Sequence, residues 1–61
     1  MAELIIPPYI DQAKDMYCTV ERQEDGNYAV VLHNTKSGNE VWDLYTTLYE
    51  AIEMATEFNL G

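Results

Sequence analysis

The sequence predicts an α+β domain in which a three-stranded antiparallel meander carries one C-terminal helix packed on one face (β-β-β-α). Two patterns indicate this fold. Apolar and polar residues alternate with a period of two at residues 16–21, and two further segments with β-branched and aromatic residues follow, each after a Gly-containing turn. An apolar stripe at helical spacing follows near the end of the chain. The chain has 61 residues, which suffices for one small core of one sheet and one helix.

Residues 1–15 are predicted to form an arm, and residues 16–61 the β-β-β-α domain. Residues 4–6 can form a short extended piece. Pro7 and Pro8 then block both a helix and a central strand, because proline lacks the backbone N–H and restricts the residue before it. Residues 9–15 can form one helical turn or no regular structure, and we expect the arm to pack loosely on the domain.

Three strands should follow the arm. In the first strand, Met16, Cys18 and Val20 alternate with more polar neighbours. Gly26 and Gly38 lie in the two polar segments between strands, and glycine tolerates the positive φ that tight turns require. The expected strands lie near residues 16–22, 28–33 and 40–45.

The helix is predicted near residues 48–58. Thr47 and Glu50 are spaced as in a capping box, in which the Thr hydroxyl and the Glu carboxylate each accept a hydrogen bond from a free backbone N–H. Either Asn59 or Gly61 can end the helix, since both residue types tolerate the left-handed conformation. The apolar stripe that should face the sheet consists of Leu48, Ala51, Ile52, Ala55 and Phe58.

The chain is strongly acidic. It has 3 Lys and Arg against 11 Asp and Glu, which gives a formal net charge of −8. This charge repels nucleic acid and anionic membranes and attracts basic surfaces. We therefore expect no direct binding to nucleic acid or membranes, and the charge favours a basic protein partner.

The sequence predicts no catalytic, metal-binding or cofactor-binding residues. His33 is the only candidate base, and a His near a strand end is more typical of a solvated residue beside a turn, because enzymes assemble their sites from several groups. One Cys and one His cannot build a conventional metal site. Cys18 lies between apolar residues and is interpreted as a small buried hydrophobe.

The single cysteine also bears on location. Cys18 cannot form an intramolecular disulfide, and small secreted domains usually need several. Residues 1–8 lack the basic region and the long apolar run of a signal peptide or a membrane span. A soluble protein in the reducing cytoplasm is therefore expected.

Carboxylates form the first group of predicted partner-binding residues. Glu50, Glu53 and Glu57 should lie on the outer side of the helix, where like-charged pairs destabilise it by about 0.2–0.5 kcal/mol each. A surface selected for stability alone would interleave Lys. The acidic face can simply keep a small protein soluble, or it can bind a basic partner. A second set lies in the strand and turn region: Glu21, Glu24, Asp25, Glu40 and Asp43.

Aromatic side chains form the second group. Five Tyr and one Trp are more than a core of this size can hide. If the helix covers the face that carries Met16, Tyr17 lies on the open face, where Tyr and Trp suit a protein interface. The open face of an antiparallel sheet is also normally solvated and tolerates Tyr for that reason. The predicted aromatic contacts are Tyr17, Tyr28, Trp42 and Tyr49.

The runs at residues 24–31 and 46–55 resemble the β-β-β-α core of HicB-type antitoxins, in which a Gly-Tyr-Val hairpin strand leads to a Thr-x-x-Glu-Ala helix. The resemblance covers about residues 16–58. The turn at residues 34–39 departs from the family pattern, because it lacks a Pro-Gly-Cys-like sequence. In size and acidity the chain is also similar to small phage anti-CRISPR proteins, with which it shares no motif.

Together these observations predict a small acidic protein-binding module. The expected function is stoichiometric inhibition of a basic, nucleic-acid-binding protein, with carboxylates standing in for phosphates as in a DNA mimic. A phage anti-defence protein of the anti-CRISPR type fits this best. The alternatives are a HicB-like antitoxin partner and a structural or accessory subunit without an inhibitory role. An enzyme is not expected, and a homodimer is compatible with the sequence.

Overall fold

The structure, a computed structural model, describes residues 3–61 of the chain. It contains a four-stranded antiparallel sheet, whose strands lie side by side in chain order, and one helix. The α+β class is confirmed, and the sheet has one strand more than predicted. No helix within the described residues is long and apolar enough to cross a membrane. The elements are β1 (Glu3–Ile5), β2 (Met16–Arg22), β3 (Tyr28–Asn34), β4 (Glu40–Tyr45) and α1 (Leu48–Leu60).

The additional strand, β1, lies in the segment predicted to be a loose arm. β1 pairs antiparallel with β2, with Glu3 opposite Arg22 and Ile5 opposite Val20. The prediction of a loose arm is therefore wrong for this segment. Three residues are too few to display a period of two, and their pairing depends on residues distant in sequence. Residues 1 and 2 of the predicted arm lie outside the described residues.

Hydrogen bonds also attach the rest of the arm to the domain. The backbone N–H of Thr35 donates to the carbonyl oxygen of Asp15 at 2.8 Å. The ammonium group of Lys14 donates to the carbonyl oxygen of Asn59, in the last turn of α1, at 3.3 Å. A cation at this position stabilises the negative end of the helix dipole. Because α1 has no basic residue in its own last turn, the arm supplies the charge that the helix lacks.

Both predicted hairpin turns are confirmed. Between β2 and β3, Gly26 has a φ of 90°, and the N–H of Gln23 donates to the carbonyl oxygen of Asn27 at 2.8 Å. Between β3 and β4, Gly38 has a φ of 78°, and its N–H donates to the carbonyl oxygen of Asn34 at 2.8 Å. These positive φ values explain why glycine occupies the two positions.

The core lies between α1 and one face of the sheet. Cys18, Val20 and Val30 of the sheet are buried together with Ala51 and Ala55 of the helix. The two small alanine side chains allow the helix to lie close to the strands. Two large residues lie at the ends of the predicted apolar stripe. Leu48 remains 39% exposed and Phe58 42% exposed.

Asn59 is buried in the last turn of α1, with 5% of its surface exposed. Its Oδ1 accepts a hydrogen bond from the N–H of Cys18 at 2.9 Å, and its Nδ2 donates to the carbonyl oxygen of Cys18 at 3.1 Å. β1 pairs only with residues 20–22 of β2. The amide therefore occupies the place that a neighbouring strand would take beside Cys18. Of the two predicted helix ends, Gly61 is the C-cap.

Thr47 is the N-cap of α1, as predicted. Its backbone is extended, and its Oγ1 accepts a hydrogen bond from the N–H of Glu50 at 3.2 Å. The second half of the capping box differs, because the Glu50 carboxylate accepts from the Thr47 hydroxyl at 3.3 Å rather than from the backbone. The hydroxyl group thus makes both contacts that stabilise the start of the helix.

Asn59→Ala should lower the free energy of unfolding by about 2–4 kcal/mol or unfold the chain, because two buried backbone groups of Cys18 lose their partner. Asn59→Asp should cost at least as much, since a carboxylate cannot donate to the Cys18 carbonyl. Urea unfolding followed by circular dichroism measures both. Leu60→Ala, at the exposed neighbouring position, is the control. Equal losses for Asn59→Ala and Leu60→Ala would contradict the role of the amide.

Thr47→Ala should lower the free energy of unfolding by about 1 kcal/mol, because the N–H of Glu50 loses its acceptor. Thermal and urea unfolding measure the change. Thr46→Ala, one residue earlier, is the matched control and should leave the melting midpoint nearly unchanged. A larger loss of stability for Thr46→Ala than for Thr47→Ala would show that Thr46, and not Thr47, caps the helix.

Candidate functional site

Three carboxylates form a row on the outer side of α1. The buried residues Ala51, Ala55 and Asn59 mark the side that faces the sheet. At 3.6 residues per turn, the glutamates fall on the opposite side, as predicted. The helix contains no Lys or Arg. We call this row the acidic helix face: Glu50, Glu53 and Glu57.

The carboxylates of the acidic helix face form no ion pairs among residues 3–61, and the nearest cation is on the arm, where Lys14 lines a pocket together with Glu57. Glu53 and Glu57 are both exposed. Lys36 is already paired with Asp15 at 3.3 Å. The cations of the chain lie on other elements: Lys14 in the arm, Arg22 on β2 and Lys36 between β3 and β4.

The second predicted set of carboxylates does not form one surface. Glu21 and Glu40 lie on the open face of the sheet, which α1 does not cover. Asp43 lies on the helix-covered face, although it belongs to the same strand as Glu40. Glu24 and Asp25 lie in the turn between β2 and β3. Successive side chains of a strand point to opposite faces, so acids close in sequence are separated in space.

The predicted aromatic contacts are also divided between surfaces. Tyr17 lies on the open face, where it was expected, and Trp42 of β4 lies on the same face. Tyr28 packs against the core on the other side of the sheet. Tyr49 is 77% exposed on the helix. Tyr17 and Trp42 are therefore the aromatic pair that the fold brings to one surface.

Three strands bring a hydroxyl, an imidazole and a carboxylate together on the open face. The Thr19 hydroxyl lies 2.7 Å from Nε2 of His33. Nδ1 of the same ring lies 3.2 Å from Oε2 of Glu40. The Tyr17 ring stacks on the imidazole with centroids 4.8 Å apart. His33 is thus half-buried with a partner at each nitrogen, in contrast to the solvated residue that its position predicts.

Thr19, His33 and Glu40 follow the order hydroxyl, imidazole and carboxylate of a hydrolase triad, but the hydroxyl is not accessible to a substrate. Thr19 is only 5% exposed and pairs with Val31 inside the sheet. A substrate carbonyl has no room beside that hydroxyl, and the arrangement instead orders the side chains of the open face. The network escapes sequence reasoning because its members lie far apart in the chain. Aligning β2, β3 and β4 about the two predicted turns would have brought Thr19, His33 and Glu40 close together on one face of the sheet.

Cys18 is buried below the helix, as its sequence context predicts. Burial raises the pKa of the Cys18 thiol, and the negative charge of Asp43 raises this pKa further. Both effects favour the neutral thiol over the thiolate, which is the nucleophilic form. The thiol therefore serves as a core side chain in the folded protein.

No three His, Cys, Asp or Glu side chains within residues 3–61 are grouped so that they could hold a metal ion. The chain matches no protein-family model, no curated protein and no solved structure with which it was compared. Its function must therefore be inferred from its own surfaces. Among the strands and the helix, α1 carries the largest net charge, and this charge lies on the acidic helix face.

The stability of the protein should fall as the pH rises above about 8.5, where an unfolded thiol begins to ionise. The folded pKa of Cys18 is raised, so the unfolded state loses its proton first and is favoured at high pH. Urea unfolding between pH 7 and pH 10 measures the slope, at most about 1.4 kcal/mol per pH unit for one thiol. Cys18→Ala should have a shallower slope, and equal slopes would contradict this assignment.

Proposed function

We propose that this chain is a stoichiometric protein-binding inhibitor whose acidic helix face occupies the nucleic-acid site of a basic partner. The observation that carries the proposal is the row Glu50, Glu53 and Glu57, exposed on one side of a helix without any cation. Carboxylates in such a row present negative charge in the way that phosphates do. We further propose that the chain acts by binding and not by catalysis.

The spacing of the row supports phosphate mimicry. With a rise of about 1.5 Å per residue, the three carboxylates span about 10.5 Å along the helix axis. One DNA strand carries a charge about every 3.4 Å, so the row has roughly two-thirds of that linear density. A groove that binds a phosphate backbone would meet a similar, slightly weaker charge.

The energetics of the helix also support a role for the row beyond solubility. Glu53 lies three residues after Glu50 and four before Glu57, and each like-charged pair costs about 0.2–0.5 kcal/mol. Glu57 also lies near the negative end of the helix dipole. Acidic residues on loops would keep the protein soluble without weakening its single helix.

The partner we propose is a nucleic-acid-handling protein of a defence system, and the chain would then be a phage-type, anti-CRISPR-like protein. We place the encounter in the cytoplasm, because the single thiol Cys18 is free and buried and the fold needs no disulfide. Two other proposals stay open to the test below, namely a HicB-like antitoxin partner and an accessory subunit.

The test begins with immobilised chain and host lysate, and it identifies a basic protein that low salt retains and high salt releases. The purified partner is then titrated with labelled duplex DNA in the presence of the chain. We expect the chain to displace DNA at a ratio of one to one. Glu53→Lys with Glu57→Lys should slow association by at least tenfold at low salt, since charge steers the encounter.

The matched control is Asp11→Lys with Glu21→Lys, which changes the net charge equally in the arm and on β2, outside α1 and β4. This variant should retain most of the wild-type association rate. Binding that is insensitive to salt and to both double substitutions would refute charge mimicry. Binding without displacement of DNA would instead favour an antitoxin or accessory role.

A further inference from the structure

β4 is an edge strand whose outer edge pairs with no other strand among residues 3–61. It pairs with β3 on one side only, and five of its six residues are exposed. The helix lies mainly over β2 and β3. Edge strands present unpaired backbone N–H and C=O groups, and proteins commonly protect them with charged side chains, Pro or a bulge. β4 has no Lys, Pro or bulge, and its two charged residues, Glu40 and Asp43, are both acidic, so they disfavour an acidic strand and not a basic one.

Apolar side chains project from both faces of this edge. Trp42 and Leu44 are 47% and 63% exposed on the open face of the sheet. Val41 is 56% exposed on the helix-covered face. A strand added beside β4 would therefore gain backbone hydrogen bonds and apolar contacts at the same time.

A groove of about 230 Å³ lies between β4 and α1. Leu32, Met54 and Phe58 contribute apolar walls, and the carboxylate of Asp43 is the charged group in the groove. Asp43 forms no ion pair with any residue from 3 to 61. Apolar walls with one carboxylate suit the aliphatic stem and the cationic head of a Lys or Arg side chain.

We propose that β4 pairs with an extended segment of the partner protein, which places a Lys or Arg side chain in the groove at Asp43 and apolar side chains beside Trp42 and Leu44. This proposal rests on the proposed function, which supplies the basic partner. It adds that the partner binds by pairing a strand with β4. The segment is defined by its chemistry, an alternation of basic and apolar residues in a strand.

A second copy of the chain suits this edge less well. When two copies of β4 pair antiparallel with matched faces, the two registers that pair most of the strand place the two-fold axis at Trp42 or at Asp43. The Asp43 register sets two carboxylates opposite each other, and the Trp42 register sets Asp43 opposite Val41. Neither register supplies a cation, and each copy carries a net charge of −8.

The test is a titration of the ¹⁵N-labelled full chain with an acetylated, amidated peptide of alternating Val and Lys, VKVKVKV. We expect chemical-shift changes and slowed amide exchange within Glu40–Tyr45. Asp43→Asn should weaken binding about tenfold, as for loss of a charge-assisted hydrogen bond. Asp11→Asn, the same charge change in the arm, should weaken binding less than twofold.

The control peptide VVVVKKK has the same composition without the alternation and should bind β4 at least tenfold more weakly. Equal binding of the two peptides, or shifts confined to the acidic helix face, would overturn strand pairing. Shifts in β4 that depend on protein concentration, with a dimer mass by sedimentation, would assign the edge to a second copy instead. The assay contains no DNA and no natural partner, so its outcome is independent of the displacement test above.

Discussion

The two hydrogen bonds between the Asn59 side chain and the backbone of Cys18 are the interaction on which the rest of the structure depends. β2 lacks a strand neighbour where β1 ends, and Pro7 has no N–H with which to continue the ladder. A buried N–H and a buried C=O without partners would be costly. The Asn59 amide supplies one donor and one acceptor, as a strand would, and its Nδ2 also reaches the carbonyl oxygen of Pro8 at 3.5 Å.

Because these bonds come from the helix, they also position α1 on the sheet. Asn59 shares the inward side of the helix with Ala51 and Ala55, so anchoring one turn fixes the rotation of all three. That rotation directs the acidic helix face away from the sheet. It also keeps α1 mainly over β2 and β3 and leaves the outer edge of β4 free. Both surfaces to which we assign binding thus follow from one buried contact.

The two surfaces are suited to different stages of binding. Under the proposed function, the acidic helix face would supply long-range attraction, which mainly sets the rate of association and weakens with salt. The edge of β4 offers short-range contacts, which mainly set the rate of dissociation. The fold tolerates the charged face because stabilising contacts are made elsewhere. Lys14 from the arm interacts with the end of the helix, and Thr47 caps its start.

The sequence by itself predicted the features that depend on local spacing. The period of two from Met16 to Val20 predicted β2, and the strand at residues 40–45 has the observed bounds. Gly26 and Gly38 predicted both turns, since positive φ is a local property. Helical spacing placed the acidic helix face on the outer side, and the Thr47 cap was found from its position before the apolar stripe.

Tertiary structure alone decided the features that depend on contacts between distant residues. β1 became a strand because β2 offered a free edge, and three residues carry no period that would show this. Asn59 became a buried anchor, although its residue type also predicts a helix end. The meeting of Thr19 with His33 follows from the pairing of β2 with β3, which brings together residues 14 positions apart in the chain. Which residues lie opposite one another depends on the geometry of the turn and on the burial of one face of both strands, so neither strand determines it alone.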